Sequence, residues 1–140
     1  GGVPPRLWIA ARRQAWACDG PRVVSHGDFH PGNVLATTGG VAVVDWEFMS
    51  LAPRHSDLLR LWTVLPEPTD RDRLLGLLID GRTPAERRRV GALLLWLGLR
   101  LLGENLTAAP CRRDPETLRH ARAMLPEVTE RARQLGAWPL

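Results

Sequence analysis

The sequence predicts an α+β chain in which a small β-hairpin region is carried on a mainly helical body. Between residues 21 and 50, short β-branched runs alternate with a dense group of glycine, proline, asparagine and aspartate. Beyond about residue 55, apolar positions recur at helical spacing, and two stretches have the composition of helix starts. At 140 residues the chain has material for about one domain with a single core.

Taken in order, Gly1 to Pro5 is expected to be a loop, and with glycine in place of methionine at the front the chain is expected to be a piece of something longer. Arg6 to Cys18 is expected to be a leading helix, with Trp8, Ala11, Ala15 and Trp16 on one side and Gly20 just past its end. Arg22 to Ser25 is extended. Val34 to Ala36 and Val41 to Asp45 are two strands joined by a four-residue loop, Thr37-Thr38-Gly39-Gly40. Short helices follow at Asp57 to Leu65 and Arg71 to Asp80, punctuated by Pro66, Pro68 and Gly81. Thr83-Pro84-Ala85-Glu86 combines an N-cap threonine, a proline at the first helical position and a glutamate three residues on. The helix it opens runs to about Leu106 and is apolar nearly all round from Ala92 to Leu99, so its middle is expected to be buried. Asp114-Pro115 opens another helix, which Pro126 is expected to divide from a last one. The organisation is a leading helix over 1–20, a loop and hairpin region over 21–50 and a helical body over 51–140.

Composition excludes several classes of function. Hydrophobic residues make up 44% and charged residues 24%, the balance of a soluble globular chain. GGVPPRLW lacks the pattern of a secretory signal, and the longest apolar run is too short for a membrane span. Cys18 and Cys111 are isolated, which suits a reducing cytoplasm and neither a zinc site nor thioredoxin-type redox chemistry. The net charge of +4 is compatible with an anionic partner, but the basic residues are scattered. Arg87-Arg88-Arg89, on consecutive helical positions, is expected to be a solvated face. All nineteen basic residues are arginine.

The chemistry concentrates in Ser25-His26-Gly27-Asp28-Phe29-His30-Pro31-Gly32-Asn33-Val34-Leu35. Gly27, Pro31 and Gly32 allow a tight loop between two strands, and the hairpin brings Asp45 to a neighbouring strand end. His26-Gly27-Asp28, Asn33 five residues later and Asp45 twelve after that match the H-x-D-x-x-x-x-N spacing of a kinase catalytic loop followed by a metal-binding aspartate. A hydroxyl attacking a γ-phosphate needs an acceptor for its proton, which Asp28 can be. Magnesium prefers oxygen ligands, which the Asp45 carboxylate and the Asn33 amide offer. Singly, Asp28 and Asn33 would be ordinary loop formers; it is the three together that point to phosphoryl transfer.

With Val44-Asp45-Trp46-Glu47, this stretch resembles the aminoglycoside phosphotransferase family, whose members are also similar to choline and homoserine kinases. The resemblance spans about Arg22 to Trp62. It implies the mainly helical C-terminal lobe of a protein-kinase-like fold, Asp28 as catalytic base, Asn33 and Asp45 as Mg²⁺ ligands, and ATP or another nucleoside triphosphate as phosphate donor. It further implies that Asp57, in His55-Ser56-Asp57-Leu58-Leu59, steadies the catalytic loop, and that His26 packs beneath it. His30 is open between a contact to substrate or metal and a plain loop residue, and Glu47 between such a contact and a surface charge. The acceptor would be a hydroxyl of a small molecule, which the sequence does not identify.

A nucleotide-covering lobe, with its glycine-rich loop and strand lysine, is absent from this sequence, which contains no lysine at all. The main expectation is therefore the catalytic lobe of a small-molecule kinase, cytoplasmic and incomplete alone, needing an N-terminal lobe as partner. The alternative is a binding or regulatory module that keeps this lobe without transferring phosphate. A nucleic-acid binder is disfavoured, because aromatic residues do not interleave with basic ones along a face. Alternation of His26, Asp28 and His30 raises a zinc-hydrolase reading, which the loop glycines and the lack of further ligands oppose.

Overall fold

The structure is a computed structural model that describes residues 5–16, 20–107 and 114–137. The expected loop over residues 1–4, the end of the leading helix at Cys18 and the environments of Cys18 and Cys111 lie outside the described residues. Among the described residues, five helices and four short strands follow in the order α1 (Pro5–Trp16), β1 (Arg22–Ser25), β2 (Val34–Thr37), β3 (Gly40–Val43), β4 (Ser50–Pro53), α2 (Ser56–Trp62), α3 (Pro68–Ile79), α4 (Pro84–Thr107) and α5 (Pro115–Gln134). They separate into two compact units, one formed by residues 1–18 and 79–140 and the other by residues 19–78.

The first unit is helical. α4 starts as its sequence dictates: the Thr83 hydroxyl accepts from the Glu86 N–H (3.3 Å), and Glu86 accepts from the Thr83 N–H (2.8 Å). Residues 91–99 of α4 are all buried, as its continuous apolar run requires. α1 and α5 both pack on α4. Ala11 and Ala15 face inward from α1, and the Trp16 and Trp96 rings meet edge to face at 5.9 Å. Against α5, α4 presents Gly91 and Gly98, where a Cβ would lie 2.9 Å from Leu135 Cβ and from Val128 Cγ1 respectively. These two glycines let the helices approach closely.

α5 runs unbroken through Pro126, contrary to the expected division there. Proline removes one helical hydrogen bond and crowds the preceding turn, at a cost of about 3 kcal/mol. Ala121, Met124, Val128 and Ala132 recur at helical spacing and are all buried, whereas Pro126 is exposed. Packing of that stripe holds the helix together across the proline. Asp114 caps its start, accepting from the N–H groups of Glu116 (3.0 Å) and Thr117 (3.1 Å).

The second unit holds two antiparallel two-stranded sheets, β2 with β3 and β1 with β4. The β2–β3 hairpin pairs Val34 with Val43 and Thr37 with Gly40, so its turn is the two residues Thr38-Gly39 instead of the expected four. β3 ends at Val43, two residues before the expected Asp45, because the chain leaves the strand there and Asp45 turns into a left-handed conformation (φ 65°). β4 was not foreseen. It pairs Ser50 with Ser25 and Pro53 with Arg22, which brings the segment after Asp45 back beside the loop that follows β1. α2 and α3 close the unit, with Trp62 fully buried and its indole N–H donating to Arg71 O (2.9 Å).

Candidate active site

The candidate site residues His26, Asp28, His30, Asn33, Asp45, Glu47 and Asp57 all belong to the second unit, on the loop between β1 and β2, the segment after β3 and the start of α2. The loop leaves β1 at Ser25, passes His26 to His30 and closes with a 3₁₀ turn over Pro31–Asn33 into β2. Gly27 adopts φ +87°, and a Cβ there would lie 2.3 Å from Phe48 O. Only glycine fits this position without moving the chain.

Asp57 is the anchor of the loop. One of its carboxylate oxygens accepts from the Ser25 hydroxyl (2.7 Å) and the Gly27 N–H (3.1 Å), and the other accepts from the His26 N–H (2.8 Å). It does so from the first turn of α2, thirty residues further along the chain. Charge-assisted bonds of this kind are about twice as strong as neutral ones, so α2 fixes the loop backbone firmly.

His26 is a second internal support. Its ring is 2% exposed and lies against Trp46 (centroids 4.8 Å apart) and Phe29 (6.0 Å). Nε2 is 2.8 Å from Val44 O, a group that only accepts, so Nε2 carries the proton. Nδ1 then accepts from the Asp28 N–H (3.3 Å). With both ring nitrogens engaged, His26 has no lone pair for a metal. No group of three or more histidine, cysteine, aspartate or glutamate side chains among the described residues could hold a metal on its own.

Asp28 and Asn33 are brought together: the Asn33 amide nitrogen donates to Asp28 O (3.0 Å). Asn33 is 8% exposed, and with its nitrogen so committed its amide oxygen is the group left to bind a ligand. Asp45 is positioned through its neighbours. The Val44 N–H donates to Asn33 O (3.0 Å), and the Trp46 indole N–H donates to Val43 O (2.9 Å). Between these fixed points the Asp45 carboxylate is exposed and has no hydrogen bond or ion pair among the described residues. Its left-handed φ is a conformation that aspartate tolerates better than most residues, and such outliers gather at functional sites. An amide oxygen and an unengaged carboxylate on adjoining backbone form a hard-oxygen donor set, which suits Mg²⁺ when phosphate oxygens or water supply the rest.

The remaining residues divide. His30 faces Asp28, with Nε2 3.5 Å from Oδ2, while its Nδ1 accepts from the Gly32 N–H (3.1 Å). Glu47 is exposed in the turn after Trp46 and is not joined to the others by any hydrogen bond or ion pair among the described residues. One residue was missed altogether. The Arg60 guanidinium pairs with Asp28, Nη2 to Oδ1, at 3.1 Å. Its partner lies thirty-two residues away, and no local pattern in the sequence signals the pair.

Comparison with known proteins agrees with this architecture. The fold is kinase-like: the structure of Plasmodium vivax ethanolamine kinase superposes with a TM-score of 0.60, at 12% sequence identity, over 93% of this chain and 39% of that one. This chain thus spans well under half the length of that kinase. No curated protein matches the sequence. The model of the phosphotransferase enzyme family known as APH matches residues 4–93, and the chain belongs to that family.

Proposed function

We propose that this chain carries the catalytic loop of an ATP-dependent small-molecule phosphotransferase, which moves the γ-phosphate of ATP, or of another nucleoside triphosphate, to a hydroxyl group. The observation that carries the reading is the loop itself. Asp28 and Asn33 sit on a backbone tied down by Asp57 and His26, and Asp45 follows Val44, whose N–H donates to Asn33 O, with its carboxylate unengaged among the described residues. In this reading Asp28 accepts the proton of the attacking hydroxyl. Asn33 and Asp45 would hold Mg²⁺, which supplies charge neutralisation at the phosphates. Asp57 and His26 keep the loop in shape, and His30 and Glu47 are the candidates for a substrate or metal contact. The nucleotide-covering part, with its glycine-rich loop and lysine, is then contributed by residues outside this sequence, and the chain corresponds to the C-terminal lobe.

A second reading is a lobe that binds without transferring phosphate, the Asp28 carboxylate being already partnered by Arg60. Calorimetric titration with ATP and Mg²⁺ separates the two when combined with a phosphate-transfer assay on hydroxylated amines, sugars and amino acids. Binding that is lost in Asp45→Asn, together with transfer that is lost in Asp28→Asn, is the expected result. Binding of equal strength in wild type and Asp45→Asn would remove the assigned metal site and the catalytic reading with it.

A further inference from the structure

The carboxylate of Asp28 has two unlike oxygens. Oδ1 is taken by the Arg60 guanidinium at 3.1 Å, within hydrogen-bond range. Oδ2 faces His30 Nε2 at 3.5 Å, too far for a good hydrogen bond, and so retains lone pairs for another donor. Because His30 Nδ1 accepts from the Gly32 N–H, the proton of a neutral ring lies on Nε2, on the side facing Asp28. Arg60 is itself held. Its Nη1 reaches the Thr63 hydroxyl (3.4 Å), and that hydroxyl, nearly fully buried, donates to Arg60 O (2.7 Å). Asp57 and Arg60 are three residues apart on α2, so one helix face grips both the backbone of the loop and the side chain of Asp28.

We infer that Arg60 is a positioning residue which, by occupying Oδ1 of Asp28, fixes the plane of the carboxylate and leaves Oδ2 as the oxygen that receives the acceptor's proton. In that step the acceptor O–H proton moves to Oδ2, a bond forms from the acceptor oxygen to the γ-phosphorus, and the bond from that phosphorus to the bridging oxygen breaks, releasing the nucleoside diphosphate. Arg60 acts through Asp28, without touching the nucleotide. The inference rests on the phosphotransferase reading above and adds to it which oxygen works and what holds it there.

The test is the steady-state release of phosphate from MgATP with water as the acceptor, in the whole protein including its nucleotide-covering part, for wild type, Asp28→Asn, Arg60→Gln and Arg60→Lys. For Arg60→Gln, kcat is expected to fall about 10- to 100-fold, as for a base whose aim is lost, with KM for MgATP within about twofold of wild type. Arg60→Lys should recover part of the rate, since an ammonium keeps the charge but not the planar grip. A raised KM with unchanged kcat would make Arg60 a nucleotide contact and overturn the inference, as would a wild-type rate in Arg60→Gln. Should Arg60→Gln fail to fold, Arg60→Lys carries the test: a KM change without a kcat change, or no change at all, overturns it equally. The nuclear magnetic resonance signals of the Arg60 guanidinium give an independent readout. Slowed rotation in wild type that is lost in Asp28→Asn is expected, and free rotation in wild type overturns the inference. A rate in Asp28→Asn equal to wild type marks a different failure, that of the phosphotransferase reading, and removes the inference with it.

Discussion

Asp57 shows how much a single side chain can do at the residue scale. Its carboxylate accepts three hydrogen bonds from a loop that has no sheet or helix partner of its own at those atoms. Replacing it by alanine strands two backbone N–H groups and a hydroxyl. Asp57→Ala is therefore expected to lose about 2–4 kcal/mol of stability in urea unfolding. Asp57→Asn keeps one acceptor oxygen and should lose less. Gly27→Ala tests the same loop from the other side: a Cβ against Phe48 O, on a left-handed backbone, should cost about 1–3 kcal/mol. The candidates from His26 to Asp45 could be singled out because they are spaced along one short stretch, and the structure brings Asp28 and Asn33 into contact there. Arg60 was not, since an arginine on a helix has the same local pattern whether it meets solvent or Asp28.

Among the elements, α5 and its seat on α4 carry the sharpest expectations. Pro126 is exposed and interrupts the hydrogen bonding of an otherwise continuous helix. Pro126→Ala restores the missing donor and should stabilise the chain by about 1–3 kcal/mol, seen as a higher melting temperature by circular dichroism. Gly98→Ala should do the reverse, by about 1–3 kcal/mol, because the added carbon meets Val128. The helix ends predict a pH dependence. The Glu86 carboxyl is held below its ordinary 4.5 by the Thr83 backbone N–H and then its hydroxyl. Asp114 is held below 3.8 by the Thr117 hydroxyl and then the Glu116 N–H, and Glu130 is pulled to about 2 by Arg133 and then Gln134. In each case the unfolded chain takes up a proton at higher pH than the folded one. Their stabilisation is thus complete above the ordinary values and lost as pH falls through the folded ones. Helicity and melting temperature should decline over that acid range, and Asp114→Asn, which keeps an N-cap oxygen, should remove its share of the decline. The helix start at Thr83 was legible because capping is local. The unbroken run through Pro126 was not, since it depends on what Ala121, Met124, Val128 and Ala132 pack against.

For the molecule as a whole, no helix among the described residues is long and apolar enough to cross a membrane. The separation of strand signals over 21–50 from helical signals beyond about 55 made the α+β class readable, but β4 escaped because Ser-Leu-Ala-Pro has little strand character alone and becomes a strand only by pairing with distant β1. The 19–78 unit carries exposed apolar side chains at Val24, Val41, Phe48, Met49 and Leu51, each more than half exposed. At high concentration the chain is expected to self-associate through them, and Val41→Thr with Leu51→Thr should reduce light scattering while leaving the melting temperature within about 1–2 °C. The tie between Asp57 and the loop has one more consequence. Loop amides normally trade their protons with water quickly, since local fraying exposes them. The amide protons of His26 and Gly27 are instead locked to a carboxylate thirty residues away, so neither can be released by local fraying. Their exchange clock should run with the opening of the whole 19–78 unit, slow in the native chain and fast once Asp57 is replaced by alanine.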